Sequence, residues 1–171
     1  GFVMLASVIG LYVQSAKVGE PSYLLSTLSQ LDIATGTGRW LFVGFMFAFA
    51  IKAPLVPLHT WLPDAAEEST AGSATMMVGV MDKIGTFGMI RFCLELFPEA
   101  SRWATPVVVV LAIFSILYGA FMAIGSQNIP RLIAYSSVSH FGFIVLGIFV
   151  MNSQGLSGAN LYMFNHGLST A

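Results

Sequence analysis

The chain has 171 residues, of which 56% are hydrophobic and 9% charged, and its formal net charge is −1. Its mean hydropathy is +0.81. Soluble domains carry about 25% charged residues, and a core of this size cannot hide so much apolar surface, so a bilayer is the natural solvent. The near-neutral charge argues against a nucleic-acid partner. The single Cys93 excludes an internal disulfide and a thiolate metal cluster, and its apolar surroundings mark it as a packing residue.

Six apolar segments follow one another: about Gly1 to Ala16, Trp40 to Leu62, Ala71 to Phe97, Trp103 to Gly125, Leu132 to Met151, and a sixth from near Leu156. Most approach the roughly 20 residues that a helix needs to cross hydrocarbon. They are too long and continuous for barrel strands, so the fold expected is all-α, a polytopic transmembrane bundle forming one membrane domain over residues 1–171. Trp40, Trp61 and Trp103 fall near segment ends, as an aromatic belt does. Pro98 and Pro130 mark breaks, and Asn152-Ser153-Gln154-Gly155 reads as a polar turn. Between the first two segments, Leu24, Leu25, Leu28 and Leu31 share a helical face. A short surface helix capped by Ser22 is expected there, with an ordinary loop as the alternative. The chain begins and ends inside apolar stretches, so it is expected to be the middle of a longer protein.

Within the second segment, Lys52 lies in Ala50-Ile51-Lys52-Ala53-Pro54-Leu55-Val56-Pro57. Pro54 and Pro57 remove two backbone donors and should open the helix. A broken helix at membrane depth is tolerated where it is buried or lines a cavity. Carbonyls freed at the first half's end would welcome the Lys52 ammonium. The bland alternative is an interfacial lysine beside a kink. After the break come His59, Asp64, Glu67 and Glu68, which either exchange protons at a surface or form a solvated acidic loop; the loop is the favoured reading.

Lys83 stands near the middle of the third segment, which at about 27 residues is roughly 40 Å long. A lysine there costs roughly 2.5 to 3.5 kcal/mol on insertion scales and requires a partner or a water-filled pocket. The neighbouring Asp82 is a possible relay residue and the evident ion-pair candidate, yet consecutive helical residues point about 100° apart, so the pair is poorly aligned. Arg91 and Glu95 are four apart and read as a structural pair.

The fifth segment carries Ala134-Tyr135-Ser136-Ser137-Val138-Ser139-His140-Phe141-Gly142. Ser136 and His140 are i, i+4 and suggest a hydroxyl–imidazole relay, with Ser139 as a further hydroxyl. In the sixth, Asn165 and Ser169 flank His166 with the same spacing, and Gly167 permits a close helix approach. For both histidines the alternative is a satisfied core side chain. No phosphate loop, nucleophile triad, metal set or internal repeat is evident. Lys17, Arg39 and Arg102 fall on one side and Arg131 on the other, so charge alone would make the first side cytoplasmic.

The run Phe47-Ala48-Phe49-Ala50-Ile51-Lys52-Ala53-Pro54-Leu55-Val56-Pro57-Leu58-His59-Thr60-Trp61-Leu62-Pro63-Asp64-Ala65, continued by Thr70-Ala71-Gly72-Ser73, Arg131 to His140 and Asn165-His166-Gly167-Leu168-Ser169, resembles the antiporter-like proton-pumping subunits of respiratory complex I and their Mrp cation/proton antiporter relatives. The resemblance covers nearly all of the chain and is weakest before Trp40. It implies a fold of fourteen helices built on two inverted five-helix repeats, each with a broken helix, of which this chain would be the sixth to the start of the eleventh. It implies that Lys52 is the broken-helix lysine, Lys83 the central-axis lysine, and His140 and His166 members of the polar axis. The carboxylate that partners Lys52 would precede Gly1. It also implies a multi-pass protein of the bacterial inner membrane with the Arg131 side cytoplasmic, against the charge count. Its partners would be other membrane subunits of complex I, lipid, protons and internal water. No cofactor is expected in this chain; NADH, FMN, iron–sulfur clusters and quinone would belong to other subunits. Many relatives have Ala-Pro-Thr at Glu68-Ser69-Thr70, Lys-Arg at Pro130-Arg131, and an apolar residue at Asp82.

The function expected is proton translocation coupled to electron transfer elsewhere. The rivals are an Mrp-type antiporter subunit, a membrane cytochrome with His140 and His166 on haem, and a structural anchor.

Overall fold

The computed structural model describes residues 1–170, and among them every regular element is helical. The order is α1 (Phe2–Val18), α2 (Leu25–Leu28), α3 (Thr35–Lys52), α4 (Trp61–Glu68), α5 (Ala71–Met76), a wide π turn (Met77–Met81), α6 (Lys83–Gly88), a second π turn (Met89–Leu94), α7 (Pro98–Gly125), α8 (Ile129–Phe149) and α9 (Ser153–Thr170). Each of the six apolar segments is thus helical, the second interrupted between Lys52 and Trp61. α7 and α8 are long and apolar enough to cross a membrane.

Boundaries moved where polar flanks extend a rod. α3 starts at Thr35, five residues before Trp40, through the polar Gly36-Thr37-Gly38-Arg39. α7 starts at Pro98, whose missing N–H is no loss at the first helical position. Pro130 likewise lies in the first turn of α8, inside the helix rather than between helices. α9 begins at Ser153, because Asn152 Oδ1 accepts from Gly155 N–H at 2.6 Å and so takes up a free donor of the first turn. The expected surface helix shrinks to the single turn α2. Ser22 does not cap it: its Oγ accepts from Leu24 N at 3.1 Å, ahead of the helix.

Packing follows small residues. α7 and α8 form the most intimate pair: a Cβ on Gly119 would lie 2.6 Å from Ser139 N, and one on Gly142 2.8 Å from Ala112 O. Without side chains at these points the backbones approach closely, which is how helices gain dispersion energy in lipid. α8 packs on α4 and α9, α3 on α1, α6 and α7, and α9 on the first π turn. The opposite face of α7, with Val107, Val110, Phe114, Leu117 and Phe121, is exposed and apolar, as a lipid-facing surface requires.

A broken helix and a hydrogen-bonded row inside the bundle

The proline motif opens the helix as its chemistry demands. α3 ends at Lys52 and helix resumes only at Trp61. The freed groups are taken up one by one. Trp61 Nε1–H donates to Ile51 O at 2.8 Å, Leu55 N–H reaches Ala50 O at 3.0 Å, and Val56 N–H donates to Ser115 Oγ of α7 at 2.8 Å. The Ile51 carbonyl therefore serves the Trp61 indole, where the sequence suggested the Lys52 ammonium. Lys52 Nζ instead lies 5.9 Å from the Trp61 ring centre, a cation–π distance. Trp61 looked like a belt residue; in the fold it closes the break, while Trp40 and Trp103 stay exposed.

The rod from Ala71 carries Asp82 and Lys83 at the point where the first π turn closes, with Asp82 N–H bonded to Met77 O five residues back. π turns shift the side-chain register and cluster at functional sites. The side chain of Lys83 reaches back to Val78 O at 2.5 Å and across to His166 Nδ1 of α9 at 2.7 Å. His166 is buried, and its Nε2 lies 3.3 Å from Ser137 Oγ of α8. A charged Lys83 is donor only, so the neutral ring accepts at Nδ1 and holds its own proton on Nε2, toward Ser137. Gly167 makes this possible: a Cβ there would sit 2.9 Å from Gly79 O, so α9 lies directly against the π turn.

His140 meets His166 edge to face, with ring centres 5.1 Å apart and planes at 85°. Its Nδ1 is buried and makes no hydrogen bond among the described residues. The i, i+4 relay of Ser136 and His140 is not formed: Ser136 Oγ donates to Ile133 O at 2.8 Å. Ser139 Oγ is likewise committed, to Ile116 O of α7 at 2.9 Å. Asn165 is exposed, and Ser169 bonds the His166 carbonyl at 3.4 Å, so neither touches the imidazole of His166. The hydroxyl that does face it is Ser137, which local spacing could not single out because its partner lies in the next helix.

Asp82 is fully buried (0% exposed), and neither carboxylate oxygen has a hydrogen-bond partner among the described residues. The poor alignment expected of Asp82 and Lys83 is found.

The acidic group beyond the break is solvent-facing, as expected, but it is a helix rather than a loop. Asp64 and Glu67 stand on α4 and clamp Arg131 at the start of α8, with Arg131 Nη2 to Asp64 Oδ1 at 2.5 Å and Arg131 Nε to Glu67 Oε2. Asn128 Nδ2 adds a bond to Glu67 Oε1 at 2.6 Å. The Arg131 hydrogen bond first, then Asn128, holds the Glu67 carboxyl below the usual carboxylate range. His59 is buried, with its ring centre 4.9 Å from that of Tyr118, and its Nδ1 makes no hydrogen bond among the described residues. Arg91 and Glu95 pair at 2.7 Å on the surface, as their spacing suggested.

A helix bundle with a proline-opened helix and lysine, aspartate and histidines in its interior defines an integral membrane protein of the antiporter-like class. The chain belongs to the family described as NADH:quinone oxidoreductase/Mrp antiporter, TM, whose model matches residues 1–171. It is 56% identical over 180 residues to the NADH-quinone oxidoreductase subunit M of Mycobacterium tuberculosis, an alignment covering 100% of this chain and 32% of that protein. The chain therefore spans about a third of the length of such relatives. Among solved structures, respiratory complex I from Thermus thermophilus contains a chain that matches with a TM-score of 0.90 and 34% identity, over 98% of this chain and 35% of that one. The Mrp complex from Dietzia sp. DQ12-45-1b matches at 0.81 and 25%, over 99% and 30%.

Proposed function

We propose that this chain is part of a proton-translocating subunit of an NADH:quinone oxidoreductase in a bacterial inner membrane, working beside other membrane subunits. The observation that carries the reading is the row Lys83–His166–Ser137, in which a half-buried lysine meets a buried imidazole and a buried hydroxyl. Lysine and histidine in direct hydrogen bond can exchange a proton without either leaving the bundle. Such groups are expensive in lipid and are retained where ions or protons pass. Lys52, at the mouth of the opened helix, is the group whose charge would act on this row, and His140 continues it along the face of His166. Redox chemistry would take place in partner subunits holding the flavin, iron–sulfur clusters and quinone.

The Mrp-type reading shares the fold but has the lower identity and TM-score of the two solved complexes. Isolation of the native protein separates the two: co-purification with flavin and iron–sulfur subunits supports the oxidoreductase. A haem pair on His140 and His166 is disfavoured by geometry, because rings in edge contact leave no slot between them for a macrocycle. A purely structural anchor predicts normal pumping after Lys83→Ala in the assembled complex, whereas the translocation reading predicts its loss.

A further inference from the structure

The rod between the broken helix and α9 presents two different charges to its two sides. Lys83 turns toward α9 and ends on His166. On the other side, the face that carries Asp82 continues, at helical spacing, through Gly85 and Met89, both buried, while Thr86 Oγ1 turns to Met163 of α9. That face meets the end of α3: a Cβ on Gly85 would lie 2.5 Å from Ala53 N and 2.9 Å from Phe49 O. Asp82 is thus one turn from the point where the rod touches the residue after Lys52. Both Lys52 and Lys83 act on its carboxyl electrostatically. No hydrogen bond from the described residues satisfies either oxygen, which is a costly arrangement for a purely structural carboxylate.

We propose that Asp82 is a proton-carrying carboxyl set between Lys52 and Lys83, linking the broken helix to the Lys83–His166 row. The inference rests on the translocation reading above. In the transfer, which crosses to Asp82 by way of water because no lysine pairs directly with its carboxylate, an Nζ–H bond of the Lys52 ammonium breaks and an Oδ–H bond forms on Asp82, leaving an amine and a neutral acid. The acid then loses that proton to the neutral amine of Lys83, restoring the carboxylate and creating an ammonium. His166 accepts from Lys83 in turn, and His140 is the remaining titratable group on that side. When both lysines are charged, the Asp82 carboxylate lies between two cations; when it is protonated, no bare anion is left in the interior.

The experiment uses the complete oxidoreductase in native membrane vesicles. Asp82→Asn keeps the shape and removes the acidic proton, and NADH-driven proton uptake is expected to be largely lost while NADH oxidation by ferricyanide is unchanged. Asp82→Glu restores a carboxyl and is expected to recover most of the loss. Full uptake in Asp82→Asn overturns the assignment, and so does an equal loss in both variants, which would mark a packing role. Lys83→Ala measured alongside separates the two levels. If it pumps normally, translocation through this row fails as a whole; if it is impaired while Asp82→Asn pumps normally, only the Asp82 assignment fails. Should Asp82→Asn not assemble, treatment of the wild-type complex with dicyclohexylcarbodiimide decides. An adduct on Asp82 is expected, and its absence while other membrane carboxyls react overturns the proposal.

Discussion

Lys83 and His166 are 83 positions apart in the chain, and their side chains meet at 2.7 Å between Nζ and Nδ1. Each lies in a segment that reads as membrane-embedded, and each would be costly alone. Together, with Val78 O and Ser137 Oγ as outer partners, they satisfy one another.

Replacing His166 by leucine removes the acceptor from Lys83 and leaves an ammonium in the bundle with only the Val78 carbonyl. Leaving a buried charge short of a partner is expensive. NADH-driven proton uptake by the assembled complex is expected to be largely lost, with assembly judged by co-purification. Full uptake in His166→Leu would mean that protons bypass the imidazole.

Gly85→Ala tests how tightly the rod is held against the broken helix. The added methyl would stand 2.5 Å from Ala53 N and 2.8 Å from Ala53 Cβ, and backbone cannot move aside as a flexible side chain can. Overpacking of this kind costs about 1–3 kcal/mol. A lowered thermal midpoint of the detergent-solubilised complex is expected, together with reduced pumping. Gly72→Ala, in open space, is the control and should leave both unchanged.

Trp61→Phe keeps an aromatic ring near Lys52 but removes the N–H that closes Ile51 O. The lost hydrogen bond corresponds to about 0.5–1.5 kcal/mol. Ser115→Ala, which strips the acceptor from Val56 N–H, should lower the thermal midpoint similarly. If both variants melt at the wild-type temperature, the break is held by other means.

The Glu67–Arg131 clamp gives a pH dependence with a definite sign. Glu67 has a depressed folded-state pKa, so its contribution is present above the ordinary carboxylate range and is lost as pH falls through the lower folded value. The pair is solvent-facing, so the effect is small and weakens with salt. Thermal midpoints of wild type and Glu67→Gln, measured against pH at low salt, should converge on the acid side and separate toward neutral pH. Parallel curves would show that the clamp contributes nothing.

Much of this arrangement is legible in the amino-acid sequence. Two prolines three apart beside a lysine forecast an opened helix, and Lys83, His140 and His166 stood out because charge in an apolar run has a price. Local spacing failed where partners came from other helices. Ser136 faces its own backbone while Ser137, one residue on, faces α9; a 100° turn decides between them, and only packing fixes the rotation. Trp61 was misread because an indole at a segment end looks alike whether it anchors at the interface or closes a carbonyl. Asp64 and Glu67 passed for a loop because Arg131, the cation that orders them, is more than sixty residues away in the chain.

Proton translocation through this bundle turns on Lys83, and protons translocated per NADH oxidised by the assembled Lys83→Ala complex is the measurement that tests it. The predicted result is a clear fall in that ratio, or a loss of coupled NADH oxidation, with the subunit still incorporated. An unchanged ratio at normal turnover would contradict the claim that the Lys83–His166 row carries protons.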